Sequence, residues 1–143
     1  MRRFSKSWKS SKNPRKQRKY RRNAPLHIRH RMVSAHLSKE LRQKYGRRSF
    51  PLRKGDKVKV MVGKFRGQTG TIDRIDLKEL KVYISGIEII KKDGTKIVPK
   101  VDPSNLMITD FNLSDKKREL SLKKEKQKLR KKEENKAEKK SER

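Results

Sequence analysis

The chain has 143 residues, with 45 Lys+Arg against 16 Asp+Glu, a formal net charge of +29 and no cysteine. Only 29% of its residues are hydrophobic and 43% are charged, which leaves material for one small core and excludes a large enzyme. No apolar stretch approaches the ~20 residues of a bilayer-spanning helix, the missing thiols exclude a disulfide framework or thiolate metal site, and a compact body of this charge repels itself unless it meets a polyanion.

The charge is unevenly placed. Residues 1–53 hold 19 Lys/Arg and one acid, Glu40; residues 54–110 hold 12 basic and 8 acidic residues; residues 111–143 hold 14 and 7. Of the 16 Val and Ile residues, 14 lie between Val58 and Ile108, and β-branched side chains favour strands. Four segments follow: a basic arm over 1–23, an extension with one short helix over 24–50, a small β domain over 51–110, and a charged tail over 111–143.

The arm has almost nothing to bury, so it is expected to be disordered when free. In the extension, Ser38 to Gly46 reads as a short helix. Ser38 can cap it, Glu40 suits its first turn and Gly46 its C-terminal exit. Leu37, Leu41 and Tyr45 fall on one face that could dock on something, and Pro51 then turns the chain out of helix. In the β domain, Val58, Val60 and Val62 alternate with Lys57, Lys59 and Met61, a half-buried strand. Gly63 to Gly67 is a turn that projects Lys64, Phe65 and Arg66 at its tip. Strands are expected over Thr69–Ile75 and Leu80–Ile84, the second bent at Ser85-Gly86 and running on through Ile87–Ile90. Gly70 inside a strand implies a bulge or a close backbone approach. Asp93-Gly94 marks a type I′ hairpin, Lys96–Val98 returns, and Leu106–Thr109 is a last short strand. Five short strands in about 55 residues point to a mainly β fold, a small closed barrel without exposed edges. Beyond Ser114 a Lys/Glu run with thin apolar spacing is helical or disordered.

Little here suggests catalysis. Asp73, Asp76 and Glu79 lie close in sequence, but solvated acids at a strand–turn junction explain them better than an acid/base pair. His27, His30 and His36 lack thiol or carboxylate company for a metal site, and there is no phosphate-binding Gly-rich loop. No catalytic residue, metal or cofactor is expected. The arm interleaves Phe4, Trp8 and Tyr20 with Lys and Arg, and such a pattern neutralises phosphates and stacks on unpaired bases. The basic stretch continues through Arg29, Arg31, Arg42, Arg47, Arg48 and Arg53, which favours an arm that becomes ordered on RNA.

The segment from Arg53 to Ile75, with its glycine array Gly55-Asp56-x-Val58-x-Val60-x-x-Gly63-x-x-x-Gly67-x-x-Gly70-x-Ile72, resembles a KOW motif, the SH3-like nucleic-acid-binding unit of several ribosomal proteins and transcription elongation factors. Asn23-Ala24-Pro25-Leu26-His27-Ile28-Arg29, Ser34 to Gly46, and Pro103 to Thr109 are similar to one branch of it, the archaeal and eukaryotic form of universal large-subunit ribosomal protein family twenty-four (twenty-six in eukaryotes). The resemblance covers roughly residues 10–118. It implies an SH3-like five-stranded barrel and a protein of the cytoplasmic ribosome that binds the 5′ domain of large-subunit rRNA and supports early assembly. It also implies a position near the nascent-peptide tunnel exit, with neighbouring ribosomal proteins as partners, no membrane insertion and no homo-oligomer. On that reading the RNA contacts are Arg15, Lys16, Arg18, Lys19, Tyr20, Arg21 and Arg22 of the arm, then His27, Arg29, His30, Arg31, Arg47 and Arg48, and Lys64, Phe65 and Arg66 of the glycine-bracketed loop. A KOW-domain transcription or RNA-processing factor is the alternative, although the strands leave no room for a polymerase-binding domain.

Overall fold

The computed structural model describes Phe4 and residues 11–123. Trp8 and the tail from 124 onward, with Leu129, lie outside the described residues. Three α-helices precede or interrupt the strands: α1 (Pro14–Asn23), α2 (Leu26–Met32) and α3 (Lys39–Tyr45). The strands are β1 (Ser34–Leu37), β2 (Ser49–Pro51), β3 (Lys57–Val60), β4 (Thr69–Asp76), β5 (Lys81–Ile84), β6 (Ile89–Ile90), β7 (Lys96–Ile97) and β8 (Leu106–Asp110), the last entered through a 3₁₀ turn at Pro103–Asn105. Residues 116–123 are helical. Among the described residues no helix is long and apolar enough to cross a membrane.

α3 matches the sequence reading at both ends. The Ser38 hydroxyl accepts from Leu41 N–H, and Gly46 leaves in the left-handed region at φ 64°, where a glycine has no Cβ to clash. Its apolar face docks as expected, with Leu41 and Tyr45 packed on the core. α1 and α2 add two helices to the single one expected. α1 carries its own start signal, Asn13 accepting from Arg15 N–H with Pro14 in the first turn; at that position the missing proline N–H costs no hydrogen bond.

The main sheet has six strands in the order β2-β1-β8-β3-β4-β5. This differs from the expected five-stranded barrel in two ways. First, β1 and β2 come from the basic extension, where alternate burial of Ala35 and Leu37 is the only strand signal. β1 pairs with β8 in parallel, His36 opposite Met107 and Leu37 opposite Ile108, a pairing between distant parts of the chain. Second, among the described residues no ladder joins β5 back to β2; β5 continues only through the Val82–Val101 bridge. Gly86, at φ 84°, ends the strand that was expected to bend and continue. β6 and β7 therefore form a separate two-stranded hairpin. Its turn is not type I′: Gly94 has φ 80° while Asp93 is absent from the positive-φ residues. The Asp93 carboxylate instead accepts from Thr95 N–H and Oγ1–H, at 3.0 and 2.6 Å, an Asx-type fold-back.

Gly70 is a close-approach glycine. A Cβ there would lie 2.5 Å from Ser85 O and 2.6 Å from Ile84 Cγ2. The bulge itself sits further along, between Ile72 and Arg74.

The core joins β-domain residues (Val58, Val60, Ile72, Val82, Ile84, Leu106, Ile108) to Val33, Ala35, Leu37 and Phe50 upstream and to Phe111 and Leu122 downstream. Packing thus crosses both compositional boundaries, at 50/51 and at 110/111. The C-terminal helical segment is fastened by Leu122 and by Arg118, which ion-pairs with Asp56 in the interior.

Candidate nucleic-acid interface

α1 presents Arg15, Lys16, Arg18, Lys19, Arg21 and Arg22 to solvent, with no residue of the helix buried. A helix so polar is not held by a core of its own. Tyr20 is its half-buried side chain, and its ring lies 4.8 Å from that of Phe4. The join to α2 is made by Arg29, whose Nε donates to Ala24 O at 2.9 Å and whose Nη2 donates to Arg22 O at 2.7 Å. Arg29 therefore satisfies carbonyls that the end of α1 leaves without intrahelical donors, and its guanidinium is occupied within the protein. On α2, His27, His30 and Arg31 are exposed. Arg47 and Arg48 are exposed between α3 and β2.

The 63–67 loop is a tight turn: Gly67 N–H donates to Val60 O at 2.8 Å and Arg66 N–H to Gly63 O at 3.0 Å. Gly63 and Gly67 have φ of 93° and 89°. Lys64 and Arg66 are exposed at its tip. Phe65, expected to project beside them, is half-buried and packs on the core. Burying its ring removes apolar area from water and leaves the two cations as the tip's outward groups.

Two clefts gather candidate residues with others that sequence reasoning passed over. Tyr20 and Arg21 line one of about 560 Å³, with Met32, Leu80 and Pro103. His30 and Arg31 line another of about 610 Å³. That second cleft adds Arg53, already named in the basic stretch, and Lys54, which it left out and whose signal was the basic pair ahead of Gly55.

The electrostatics divide as the sequence does. Some lysines of the strand body are paired with its own acids: Lys81 with Asp102 at 2.7 Å, Lys100 with Glu79 at 2.6 Å, Lys54 with Asp73 at 3.4 Å and Lys57 with Asp110 at 3.5 Å. Among the described residues no carboxylate pairs with a cation of α1 or α2, and the first acid along the chain is Glu40. Backbone N–H groups of Glu79 and, more weakly, Lys78 hold the Asp76 carboxyl below its ordinary range. The Thr95 hydroxyl and N–H do the same for Asp93, and Glu79 raises Lys100. Asp73, Asp76 and Glu79 are thus each engaged separately. Among the described residues no group of three His, Cys, Asp or Glu could hold a metal ion.

The family described as eukaryotic ribosomal proteins L26 and their archaeal counterparts matches residues 11–125. Large ribosomal subunit protein uL24 of Methanosphaera stadtmanae is 46% identical over 112 residues, 78% of this chain and 96% of that protein. The uL24 proteins of Methanospirillum hungatei and Methanoculleus marisnigri are 49% and 51% identical, over 78% and 76% of this chain and 93% and 90% of theirs.

Proposed function

The chain belongs to the family of eukaryotic ribosomal proteins L26 and their archaeal uL24 counterparts, and from that premise we propose that it binds large-subunit rRNA by charge neutralisation and shape recognition. As a member of this family it is a structural protein of the large subunit in the cytoplasmic ribosome and not an enzyme. The observation that carries the RNA reading is the division of charge. Several lysines of the strand body, Lys57, Lys81, Lys96 and Lys100, pair with its own acids, while the cations of α1 and α2 have no carboxylate partner among the described residues. Exposed, unpaired cations on a polar helix are the groups that displace counterions from phosphates.

In this account the six-stranded sheet is the SH3-like KOW unit that fixes position, and Lys64 and Arg66 contact RNA from its loop. Arg15 to Arg22, His27, His30, Arg31, Arg47 and Arg48 supply the remaining contacts. Arg29 acts mainly by holding α1 against α2. The 5′ domain as the rRNA target, early entry into assembly, and a single copy beside neighbouring proteins at the tunnel exit are supported by the resemblance of residues 23–29, 34–46 and 103–109.

The test is binding of the full chain to a 5′-domain transcript over a range of salt. If ~10 phosphates are neutralised, log affinity falls against log salt with a slope of about −7 to −9. A slope near zero, or a chain that stays off large subunits in a low-salt gradient, would overturn the proposal.

A further inference from the structure

The cleft of about 610 Å³ beside α2 has an apolar floor and a cationic rim. Leu52, Ile75 and Leu77 supply the floor, and Arg31, Arg53 and Lys54 the rim. Its size is that of a small-molecule site. Two of its cations already hold partners: Arg53 is hydrogen-bonded and paired with Asp115, and Lys54 lies 3.4 Å from Asp73 in a pair exposed to water. Exposed ion pairs contribute little, and the Lys54–Asp73 contact, unlike Lys81–Asp102 and Lys100–Glu79, is longer than a charged hydrogen bond, so an incoming phosphate can replace Asp73. Arg31, also exposed, makes no ion pair among the described residues.

Resting on the RNA reading above, the geometry points to this cleft as the seat of one unstacked nucleotide, its base on the aliphatic floor and its phosphate on Arg31, Arg53 and Lys54. Charge complementarity selects the occupant. A polyanion is drawn to the rim, and a flat apolar face is what the floor can take from water. Proteins recognise RNA chiefly at bulges and loops, where bases can be splayed out of the stack. The cleft lined by Asp73, Tyr83 and Glu88 lacks this complementarity, because it presents two acids.

The experiment uses the full chain and two RNA hairpins, one carrying a single bulged 2-aminopurine and one fully paired. The proposal expects the bulged hairpin to bind 5- to 10-fold more tightly and its fluorescence to rise severalfold as the base leaves the stack. The deciding variant is Leu77→Lys. It adds a positive charge, so a purely electrostatic surface would bind RNA as well or better. A base seat instead loses its floor, and both the preference and the fluorescence rise disappear. Because Leu77 is only half-buried, an unchanged circular dichroism spectrum and melting midpoint should accompany the loss. Arg31→Ala, at an exposed position, should weaken the bulged hairpin more than the paired one. Equal binding of the two hairpins, or a preference that survives Leu77→Lys, overturns the proposal and leaves the cleft to a protein side chain or to no ligand. Failure of both hairpins to bind at low salt overturns the RNA reading itself.

Discussion

Both terminal nitrogens of Arg118 meet the buried carboxylate of Asp56, Nη1 at 2.5 Å from Oδ1 and Nη2 at 2.7 Å from Oδ2. The same carboxylate accepts from the N–H groups of Arg53 and Asn112, at 2.8 and 3.0 Å. The guanidinium also lies 5.0 Å from the Phe111 ring centre and 5.7 Å from that of Phe50. An aspartate at the head of the glycine array is thus the anchor for a residue 62 positions further on. The segment after β8 closes over the core through this pair and through Leu122.

Removing one partner of a buried pair leaves the other charge uncompensated, which typically costs about 3–5 kcal/mol. Arg118→Ala is expected to lower stability by about that amount, read from urea unfolding midpoints. Arg118→Lys should recover less than half of the loss, because an ammonium cannot fork across both oxygens. A change under about 1 kcal/mol for Arg118→Ala, within the usual worth of exposed pairs, would mean that the tail does not close the core.

Gly70 and Gly63 should respond differently to alanine. At Gly70 the new methyl meets Ser85 O and Ile84 Cγ2 inside van der Waals distance, and overpacking of this kind costs about 1–3 kcal/mol and strains the β4–β5 ladder. At Gly63 the space is open, so only the positive φ of 93° is penalised, by about 1–2 kcal/mol. Amide exchange separates the two: Gly70→Ala should speed exchange along β4 and β5, and Gly63→Ala only around its own turn.

Acid should weaken the turn between β4 and β5. The folded Asp76 carboxyl titrates below its ordinary value of 3.8 because the N–H groups of Glu79 and Lys78 point at it. A depressed carboxyl contributes stability that is fully present above the unfolded pKa and is lost as pH falls through the folded one. Asp76→Asn should therefore flatten part of the stability loss below about pH 4 while leaving the profile from about pH 6 to 8 unchanged. An identical acid limb in the variant would show that the turn does not depend on this charge.

Much of the strand body was legible because local chemistry and tertiary packing agree there. The valine alternation is buried at Val58 and Val60, although β3 stops at Val60 and leaves Met61 and Val62 exposed where the strand was expected to continue, and Ser38 and Gly46 cap α3 as their residue types require. What escaped depends on distant partners. β1 is only four residues long, in a basic segment, and becomes a strand through β8, which follows it by roughly 70 positions. Arg118 and Leu122 sit in a Lys/Glu run that reads as solvated, and nothing local marks Arg118 as the partner of Asp56. α1 was legible in principle from Asn13-Pro14, but the absence of apolar residues argued against order. In the interface, exposure of the arm's cations followed from composition. The inward turn of Phe65 and the engagement of Arg29 with two carbonyls did not, since both depend on what lies nearby in space.

Charge removal separates neutralising cations from compensated ones. Arg18→Ala with Arg22→Ala should make the salt slope of rRNA binding shallower by about one unit for each phosphate that is no longer neutralised. Lys81→Ala removes a cation already held by Asp102 and should leave the slope unchanged. Equal effects from both changes would show that total charge, and not its placement, governs binding.

The most direct test of the central claim is residue- and nucleotide-resolved RNA crosslinking of purified large subunits that contain this chain. The expected result is crosslinks concentrated on α1, on His27, His30 and Arg31 and on Lys64 and Arg66, all to large-subunit rRNA, with few on the paired lysines Lys81 and Lys100. Crosslinks absent from α1 and α2, or spread evenly over every lysine of the strand body, would contradict it.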